Sequence, residues 1–133
     1  MTGIPVTGVS ELVLEVADLE VAEAFYAGVL GLPVVARWPA REAIWVMAGD
    51  RTRIGLWRPQ VGLAGGQPGA HVHFAMHLAE EHMEAARARL REHGYEPEEI
   101  VFEGAGRSLY LTDPDGHVVE LWTWDVGEHL SGR

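Results

Sequence analysis

Acidic and imidazole side chains recur at alternate positions of two segments that have the two-residue periodicity of β-strands. In the first segment Glu11 and Glu15 share one face, while leucine and valine occupy the other. In the second segment His71, His73 and His77 share one face, opposite a row of apolar side chains. Carboxylate and imidazole groups can bind metal ions or exchange protons. The pattern predicts two strands, each with an apolar face covered by a helix and a polar face open to a ligand.

Two helices are predicted to cover those apolar faces, over residues 18–30 and 79–93. Asp18 can accept hydrogen bonds from the first turn of the former helix, and Gly31 ends it. The latter has glutamates early and arginines late, as the helix dipole favours, and it ends at Gly94. Alternation and turn residues predict two sets of strands, at 9–16, 33–38, 42–49 and 52–58, and at 70–77, 97–103, 107–112 and 117–124.

The order of elements is the same in both halves of the chain: a strand, a helix and then three strands. We therefore predict a single domain over residues 1–133, with an internal repeat of 8–60 and 68–126 and a tail at 127–133. One helix covers only one face of such a sheet, so the two uncovered faces must combine. The predicted fold class is α+β, with two tandem βαβββ units forming a curved mixed sheet, or cup, and the helices on its outer face.

The repeat also aligns candidate ligand positions. Superposing the last strands of the two halves places Gly55 with Glu120, and superposing the first strands places Glu11 with His71. Polar groups therefore occur at matching places in both units, on the faces that are predicted to be free of a helix.

Composition restricts both the chemistry and the partners. All ten basic residues are arginine, since the chain has no lysine, and it has no cysteine either. Schiff-base chemistry, a Walker A phosphate loop, thiol nucleophiles and disulfides are therefore excluded. The formal net charge of -10 disfavours nucleic acid and anionic lipid as partners. No segment reads as a membrane span or a signal peptide, so we expect a cytoplasmic protein with no membrane partner.

Three motifs resemble those of a known family. They are Glu11-Leu-Val-Leu-Glu-Val-Ala-Asp18-Leu, Phe25-Tyr-Ala-Gly-Val-Leu-Gly31-Leu and Gly106-Arg-Ser-Leu-Tyr-Leu-Thr-Asp113-Pro-Asp-Gly-His-Val-Val-Glu120-Leu. Together they resemble the vicinal oxygen chelate superfamily, and the resemblance covers nearly the whole chain. This superfamily includes glyoxalase I, extradiol dioxygenases, fosfomycin-modifying thiol transferases, methylmalonyl-CoA epimerase and metal-free bleomycin-resistance proteins. The resemblance implies the cup-shaped fold and leaves the reaction open, because the scaffold hosts several chemistries.

The resemblance also implies a metal site. In metal-binding relatives the ligands come from the first and last strands of each unit, which correspond here to Glu11, Gly55, His71 and Glu120. Glycine offers no side chain, so the implied ligands are Glu11, His71 and Glu120, for one Mn, Fe, Ni, Co or Zn ion per site. Glu11 and Glu120 are also the candidate catalytic residues, and a loosened Glu11 could act as general base.

Glu11 departs from the family pattern, which commonly has histidine at this position. Two carboxylates and one histidine argue against an extradiol dioxygenase, whose iron is held by two histidines and one carboxylate. The count of three ligands resembles the thiol transferases, as does Gly106-Arg-Ser-Leu-Tyr before the last strand. The alternative for each candidate ligand is a carboxylate or imidazole that is simply hydrated on an open strand face.

Five further residues are candidate contacts to a small-molecule substrate: Trp57, His73, Arg107, Tyr110 and Trp122. Alternation places the two tryptophans on the polar faces of their strands, where flat apolar walls suit a ligand pocket. The arginine and the tyrosine could hold an anionic or carbonyl group. The tryptophans could instead pack a core or a dimer interface.

Two functions remain open at this point. The first is a metal-dependent enzyme of lyase, isomerase or thiol-transferase type, acting on a small substrate that chelates the ion through oxygens. The second is a protein without a metal, of the bleomycin-resistance type, that sequesters a flat cationic antibiotic in an acidic groove lined by tryptophan. Small members of the family usually form homodimers, so the resemblance also implies a homodimer with the site shared between chains.

Overall fold

The computed structural model describes residues 3–5, 7–59 and 72–125. They belong to two compact units, the first within Met1–Leu63 and the second within Ala64–Arg133. Each unit contains one helix region and one four-stranded mixed sheet, and the elements follow each other in the order βαβββ. The α+β class and the tandem repeat of βαβββ units predicted from the sequence are confirmed.

The first unit forms its sheet from the four strands that flank and follow its helix. In chain order the elements are β1 (Glu11–Glu15), α1 (Leu19–Glu23) continuing as a π-helix (Ala24–Val29), β2 (Val34–Trp38), a 3-10 turn (Pro39–Arg41), β3 (Ala43–Ala48) and β4 (Thr52–Trp57). The strand order is β1-β4-β3-β2. Strand β1 runs parallel to β4, and the other pairs are antiparallel.

The second unit repeats this topology. Its elements are β5 (His73–His77), a 3-10 turn (Glu80–His82), α2 (Met83–Glu92), β6 (Glu98–Val101), β7 (Arg107–Thr112) and β8 (Val118–Trp122). The strand order is β5-β8-β7-β6, with β5 parallel to β8. In both units the last strand therefore lies between the first strand and the third, where it can present side chains to two neighbours.

The first helix has the expected extent and an unexpected geometry. Asp18 caps it through Oδ1, which accepts hydrogen bonds from the backbone N–H groups of Glu20 and Val21 at 2.9 and 3.1 Å. Its second half widens into a π-helix, in which Leu30 N donates to Phe25 O at 2.9 Å. Phe25 and the next residue, Tyr26, are both buried, and a wide turn allows two consecutive aromatic side chains to pack inwards.

The second helix begins later than predicted as an α-helix. Its first turn, Glu80–His82, is a 3-10 turn after Ala79, which has no side chain able to cap the free N–H groups. The α-helix then runs from Met83 to Glu92. Gly94 follows with a positive φ of 86°, as predicted for a glycine that ends a helix.

Each sheet has one face covered by its helix. In the first unit α1 packs against β3 and β4, and the side chains beneath it are buried, including Leu14, Ile54 and Leu56. In the second unit Met83 and Leu90 of α2 are buried, as are Leu109, Leu111 and Val119 of β7 and β8. The apolar row of β5, Phe74 and Met76, is half-buried and alternates with exposed residues. The predicted alternation of the strands is confirmed.

The opposite face of each sheet, called here the helix-free face, carries the candidate functional residues. Cross-strand pairing defines its members in the first sheet as Glu11, Val13, Glu15, Arg53, Gly55, Trp57, Trp45, Met47, Ala43, Ala36 and Trp38. In the second sheet they are His73, Ala75, His77, Val118, Glu120, Trp122, Ser108, Tyr110, Thr112, Glu98 and Ile100. None of the described helices is long and apolar enough to cross a membrane.

Candidate functional site

The carboxylate of Glu120 is the centre of a polar cluster on the second sheet. Strand β8 pairs with β5 on one side and β7 on the other, so that Glu120 lies between Ala75 and Tyr110. The residue is only 4% exposed. A buried carboxylate needs hydrogen-bond or ion partners, because removal from water otherwise disfavours its charged form.

Both carboxylate oxygens have such partners. Oε1 lies 2.8 Å from His73 Nε2, and Oε2 accepts a hydrogen bond from the hydroxyl of Ser108, which is fully buried. The ring of His73 lies 5.6 Å from that of Tyr110. The sequence prediction did not include Ser108. Its signal was present in the alternation of β7, which places Ser108 and Tyr110 on one face.

Tyr110 completes the cluster as a hydrogen-bond donor. Burial is the main reason why its pKa is raised, and a hydrogen bond to Glu120 together with the negative charge of that carboxylate raises the pKa further. A hydrogen bond with Ser108 opposes these effects in part. The phenol therefore stays protonated at neutral pH and can donate to an oxygen of a ligand.

A cleft of about 440 Å³ lies beside Tyr110. Its wall on the helix-free face includes Glu98, Ile100, Thr112 and Val118. With Tyr95 and Glu96, which also line it, the cleft combines two carboxylates, three hydroxyl groups and apolar side chains next to the polar cluster.

The register of the two sheets identifies the histidine that corresponds to Glu11. Glu11 pairs with Arg53, two residues before Gly55, and His73 pairs with Val118, two residues before Glu120. With Gly55 and Glu120 at equivalent places, the equivalent of Glu11 is His73 rather than His71. His71 itself lies outside the described residues, so its predicted role as a ligand is not tested, and the register favours His73 in its place.

In the first sheet, the position equivalent to Glu120 is filled by an aromatic ring. A Cβ atom added at Gly55 would lie 2.5 and 2.7 Å from two ring atoms of Trp45 and 2.8 Å from Trp57 Nε1. Trp45 is the direct cross-strand partner of Gly55 and is 4% exposed. Glycine is therefore required here by the indole that covers it, and the position cannot supply a metal ligand, as the sequence predicted.

Three tryptophans contact one another on this face. The ring centroids of Trp38, Trp45 and Trp57 are separated by 5.2, 5.9 and 6.1 Å, and each pair meets edge to face. The indole nitrogens of Trp45 and Trp57 are buried and have no hydrogen-bond acceptor among the described residues. The guanidinium of Arg53 lies 5.8 Å from the centroid of the Trp45 ring. Of these three tryptophans, only Trp57 had been predicted from the sequence as a candidate substrate contact.

The remaining predicted substrate contacts lie in different surroundings. Trp122 is on the face of Glu120, packs against Phe102 and Trp124, and donates from Nε1 to Ala105 O at 2.7 Å. Arg107 lies on the other face of β7, towards the helix. There its guanidinium contacts carboxylates of the second unit, namely Glu80 at 2.7 Å, Glu99 at 3.3 Å and Glu84 at 3.7 Å.

The side chains that converge in the second unit are of the types that bind metal ions, but too few of them lie among the described residues to hold one. An imidazole nitrogen and a carboxylate oxygen converge at His73 and Glu120, and both are ligands of borderline divalent ions. Over the described ranges, no three His, Cys, Asp or Glu side chains come together so that they could hold an ion. A complete site therefore needs at least one further ligand beyond this pair.

Comparison with known proteins establishes the family. The model of the glyoxalase/bleomycin resistance protein/dioxygenase superfamily matches residues 8–121. The chain belongs to this superfamily. Glutathione transferase FosA from Serratia marcescens is 30% identical over 123 residues, covering 92% of this chain and 84% of that protein. Metallothiol transferase FosB from Shouchella clausii is 26% identical over 130 residues, covering 95% and 86%.

A solved structure of an antibiotic binding protein has the same fold. TnmS3, an antibiotic binding protein from Streptomyces sp. CB03234, aligns with a TM-score of 0.70 and 23% identity, over 92% of this chain and all of that chain. At this identity the similarity shows the fold alone. The superfamily assigned from the motifs is thus confirmed, while the reaction depends on the site.

Proposed function

We propose that this protein is a divalent-metal-dependent enzyme that acts on a small substrate chelating the ion through oxygens, with thiol transfer as its reaction class. The observation that carries the proposal is the buried carboxylate of Glu120, with Oε1 2.8 Å from His73 Nε2. Two ligand-type atoms converge on a face that also holds a tyrosine hydroxyl and an adjacent cleft.

In this proposal His73 and Glu120 hold the ion from the second unit, and Glu11 is the third ligand. The matching strand register of Glu11 and His73 supports this set. One imidazole and two carboxylates cancel the charge of a divalent ion, which suits Mn, Fe, Ni, Co or Zn. When bound, the ion would polarise substrate oxygens as a Lewis acid.

The chain's own residues would orient and protonate the substrate. Ser108 fixes one oxygen of Glu120, leaving the other to face His73. Tyr110 keeps its proton and donates to an oxygen that gains negative charge when a carbon–oxygen bond breaks and a carbon–sulfur bond forms. If it is loosened from the ion, Glu11 would accept the thiol proton as general base.

The relatives support thiol transfer as the reaction class. Two curated proteins that match more than nine-tenths of this chain carry the names glutathione transferase and metallothiol transferase. Neither name identifies the substrate of this chain.

Loss of free thiol in the presence of small epoxides tests the proposal. We expect metal-loaded protein to consume thiol and epoxide in equal amounts, and chelation with EDTA to abolish the reaction. Glu120→Gln should lower the rate by at least about a hundredfold, since a ligand is lost. Glu92→Gln, an exposed change on α2, is the matched control. Equal rates with and without EDTA, or an unaffected Glu120→Gln variant, would contradict metal-dependent transfer.

The tryptophan cluster favours a second candidate function, the binding of a flat aromatic molecule without a metal. Trp38, Trp45 and Trp57 form an aromatic surface that contains two buried indole N–H groups without acceptors among the described residues. Titration of metal-free protein with planar antibiotics, followed by tryptophan fluorescence, tests this candidate. Saturable quenching that Trp38→Ala removes would support it, and no quenching by any compound would dismiss it.

A further inference from the structure

The helix-free faces are rich in carboxylates and poor in cations. On the second sheet this face holds Glu98 and Glu120, and its described residues include no arginine. On the first sheet it holds Glu11 and Glu15 against a single cation, Arg53. Because the chain has no lysine, arginine is the only permanently charged cation that the protein could place there.

Three arginines on the helix-bearing sides of the two units form ion pairs with glutamates there. Arg37 contacts Glu23 of the first helix at 2.7 Å. In the second unit Arg107 contacts Glu80 at 2.7 Å, and Arg87 contacts Glu84 at 3.3 Å. All three belong to the helix-bearing side of their unit, so these cations are not available to a ligand on the helix-free face.

Arg53 has a neighbouring carboxylate in register with it. It is the cross-strand partner of Glu11, and its guanidinium lies over the ring of Trp45. Because Glu11 is assigned to the ion in the proposed site, it does not neutralise Arg53. The cleft beside Tyr110 belongs to the second sheet, however, and it is lined by Glu96 and Glu98 and by no arginine among the described residues.

From this charge distribution we infer that the substrate carries a neutral or cationic group beside its chelating oxygens, and that phosphonate, phosphate and carboxylate groups are rejected there. The inference rests on the proposed function, in which Glu11, His73 and Glu120 already neutralise the ion. A second anionic group would then face Glu98 across the cleft beside Tyr110 without a counter-ion. The aliphatic residues that line this cleft, Ile100 and Val118, suit an uncharged substituent, and the carboxylate of Glu98 suits a cationic one.

Three hydroxamates that differ only in the charge of their tails test the inference. β-Alanine hydroxamate, butyrohydroxamate and succinate monohydroxamate share one chelating group and end in an ammonium, a methyl and a carboxylate. Their dissociation constants are measured on Co(II)-loaded protein through the visible absorption of the ion. We expect the ammonium compound to bind tightest and the carboxylate compound to bind about tenfold more weakly than it, since the carboxylate of Glu98 attracts the former and repels the latter.

Two variants assign this preference to the cleft. Glu98→Gln should reduce the ratio of the dissociation constants of the carboxylate and ammonium compounds about threefold. It should leave the dissociation constant of the methyl compound unchanged. Glu92→Gln on the exposed surface of α2 should leave all three constants unchanged. Equal affinities, or tightest binding of the carboxylate compound, would overturn the inference while Co(II) uptake still upheld the proposed function. Absence of Co(II) uptake would overturn both.

Discussion

At the scale of single residues, the carboxylate of Glu120 is held on both of its oxygens by groups from neighbouring strands. Ser108 donates to one oxygen from β7, and His73 meets the other from β5. Such a carboxylate cannot rotate freely, so one oxygen is presented in a fixed direction. Groups that orient a metal ligand commonly change metal affinity when they are removed.

Ser108→Ala therefore should weaken metal binding without removing a ligand. We expect the affinity for Co(II) to fall about 10- to 100-fold, since Glu120 would lose the hydroxyl that orients it. Calorimetric titration measures this change. Ser10→Ala, at an exposed position before β1, is the control. Identical affinities in the two variants would show that Ser108 does not position Glu120.

A second buried pair links stability to pH. His117 Nδ1 lies 2.7 Å from Asp113 Oδ2, and the other oxygen of Asp113 accepts from the backbone N–H of Asp115 and His117 at 2.8 and 2.9 Å. The hydrogen bond that His117 donates to Asp113 is the main reason why the pKa of His117 is raised, although burial opposes it. The folded state thus holds this proton more tightly than the unfolded state does.

The pKa of His117 is higher in the folded state than in the unfolded state. The His117–Asp113 pair therefore contributes its full stability below the unfolded pKa of 6.5, and this contribution is lost as pH rises through the folded pKa. We expect the free energy of unfolding to decline as pH increases above about 6.5. His117→Asn should flatten this decline, because the amide donates without titrating. Urea unfolding from pH 5.5 to 8.5 measures it, with His93→Asn as control. A decline of unchanged slope in His117→Asn would assign the effect to other groups.

At the scale of elements, the pairing of β3 with β4 decides what the first unit can offer. Trp45 lies over Gly55, so the place that holds Glu120 in the second unit is occupied here by an indole. The two halves of the repeat share a strand topology and differ in the side chains on their helix-free faces. The face of the first unit carries three contacting tryptophans, and that of the second unit carries the polar cluster around Glu120.

Gly55→Ala should destabilise the first unit. A methyl group would come within 2.5 Å of the Trp45 ring and 2.8 Å of Trp57 Nε1, and both rings would have to shift. Overpacking of this kind costs about 1–3 kcal/mol. Gly28→Ala is the control, since nothing lies within 4 Å of its added methyl. Urea unfolding compares the two variants, and equal stability of Gly55→Ala and wild type would contradict the packing described.

Most of the elements could be predicted from the sequence because periodicity reports which side of a strand or helix is buried. The π-helix at Ala24–Val29 could not be, since it reflects how two adjacent aromatic side chains meet the sheet. Glu120 and Tyr110 were predicted from their motif. The contacts of His73 and Ser108 with Glu120 depend on cross-strand register, and so does the packing of Trp45 over Gly55. A single sequence does not specify this register.

At the scale of the whole molecule, the proposed metal site needs a ligand from beyond the second unit. In the proposal His73 and Glu120 supply two ligands, and the third, Glu11, belongs to the other unit. The family resemblance implies a homodimer in which chains share their sites, as closed symmetric oligomers commonly do. A homodimer and a cytoplasmic location both stay predictions for this chain.

Mixing two defective variants tests whether sites are shared. Glu11→Gln and Glu120→Gln should each lose metal binding. If Glu11 of one chain completes the site of another, co-refolding the two should restore roughly a quarter of the wild-type capacity, because half of the dimers contain one intact site. Light scattering gives the mass of the same samples. A monomer at micromolar concentration, or no restored capacity, would contradict a shared site.

Metal uptake tests the central claim most directly. Mn, Ni, Zn and Co(II) are titrated by calorimetry into metal-free wild type, His73→Ala, Glu120→Ala, His71→Ala and the exposed control His93→Ala. We expect tight binding near one ion per chain in wild type, His71→Ala and His93→Ala, and its loss in His73→Ala and Glu120→Ala. No uptake by the wild type, or uptake that survives in both His73→Ala and Glu120→Ala, would contradict the metal site at the centre of the proposed function.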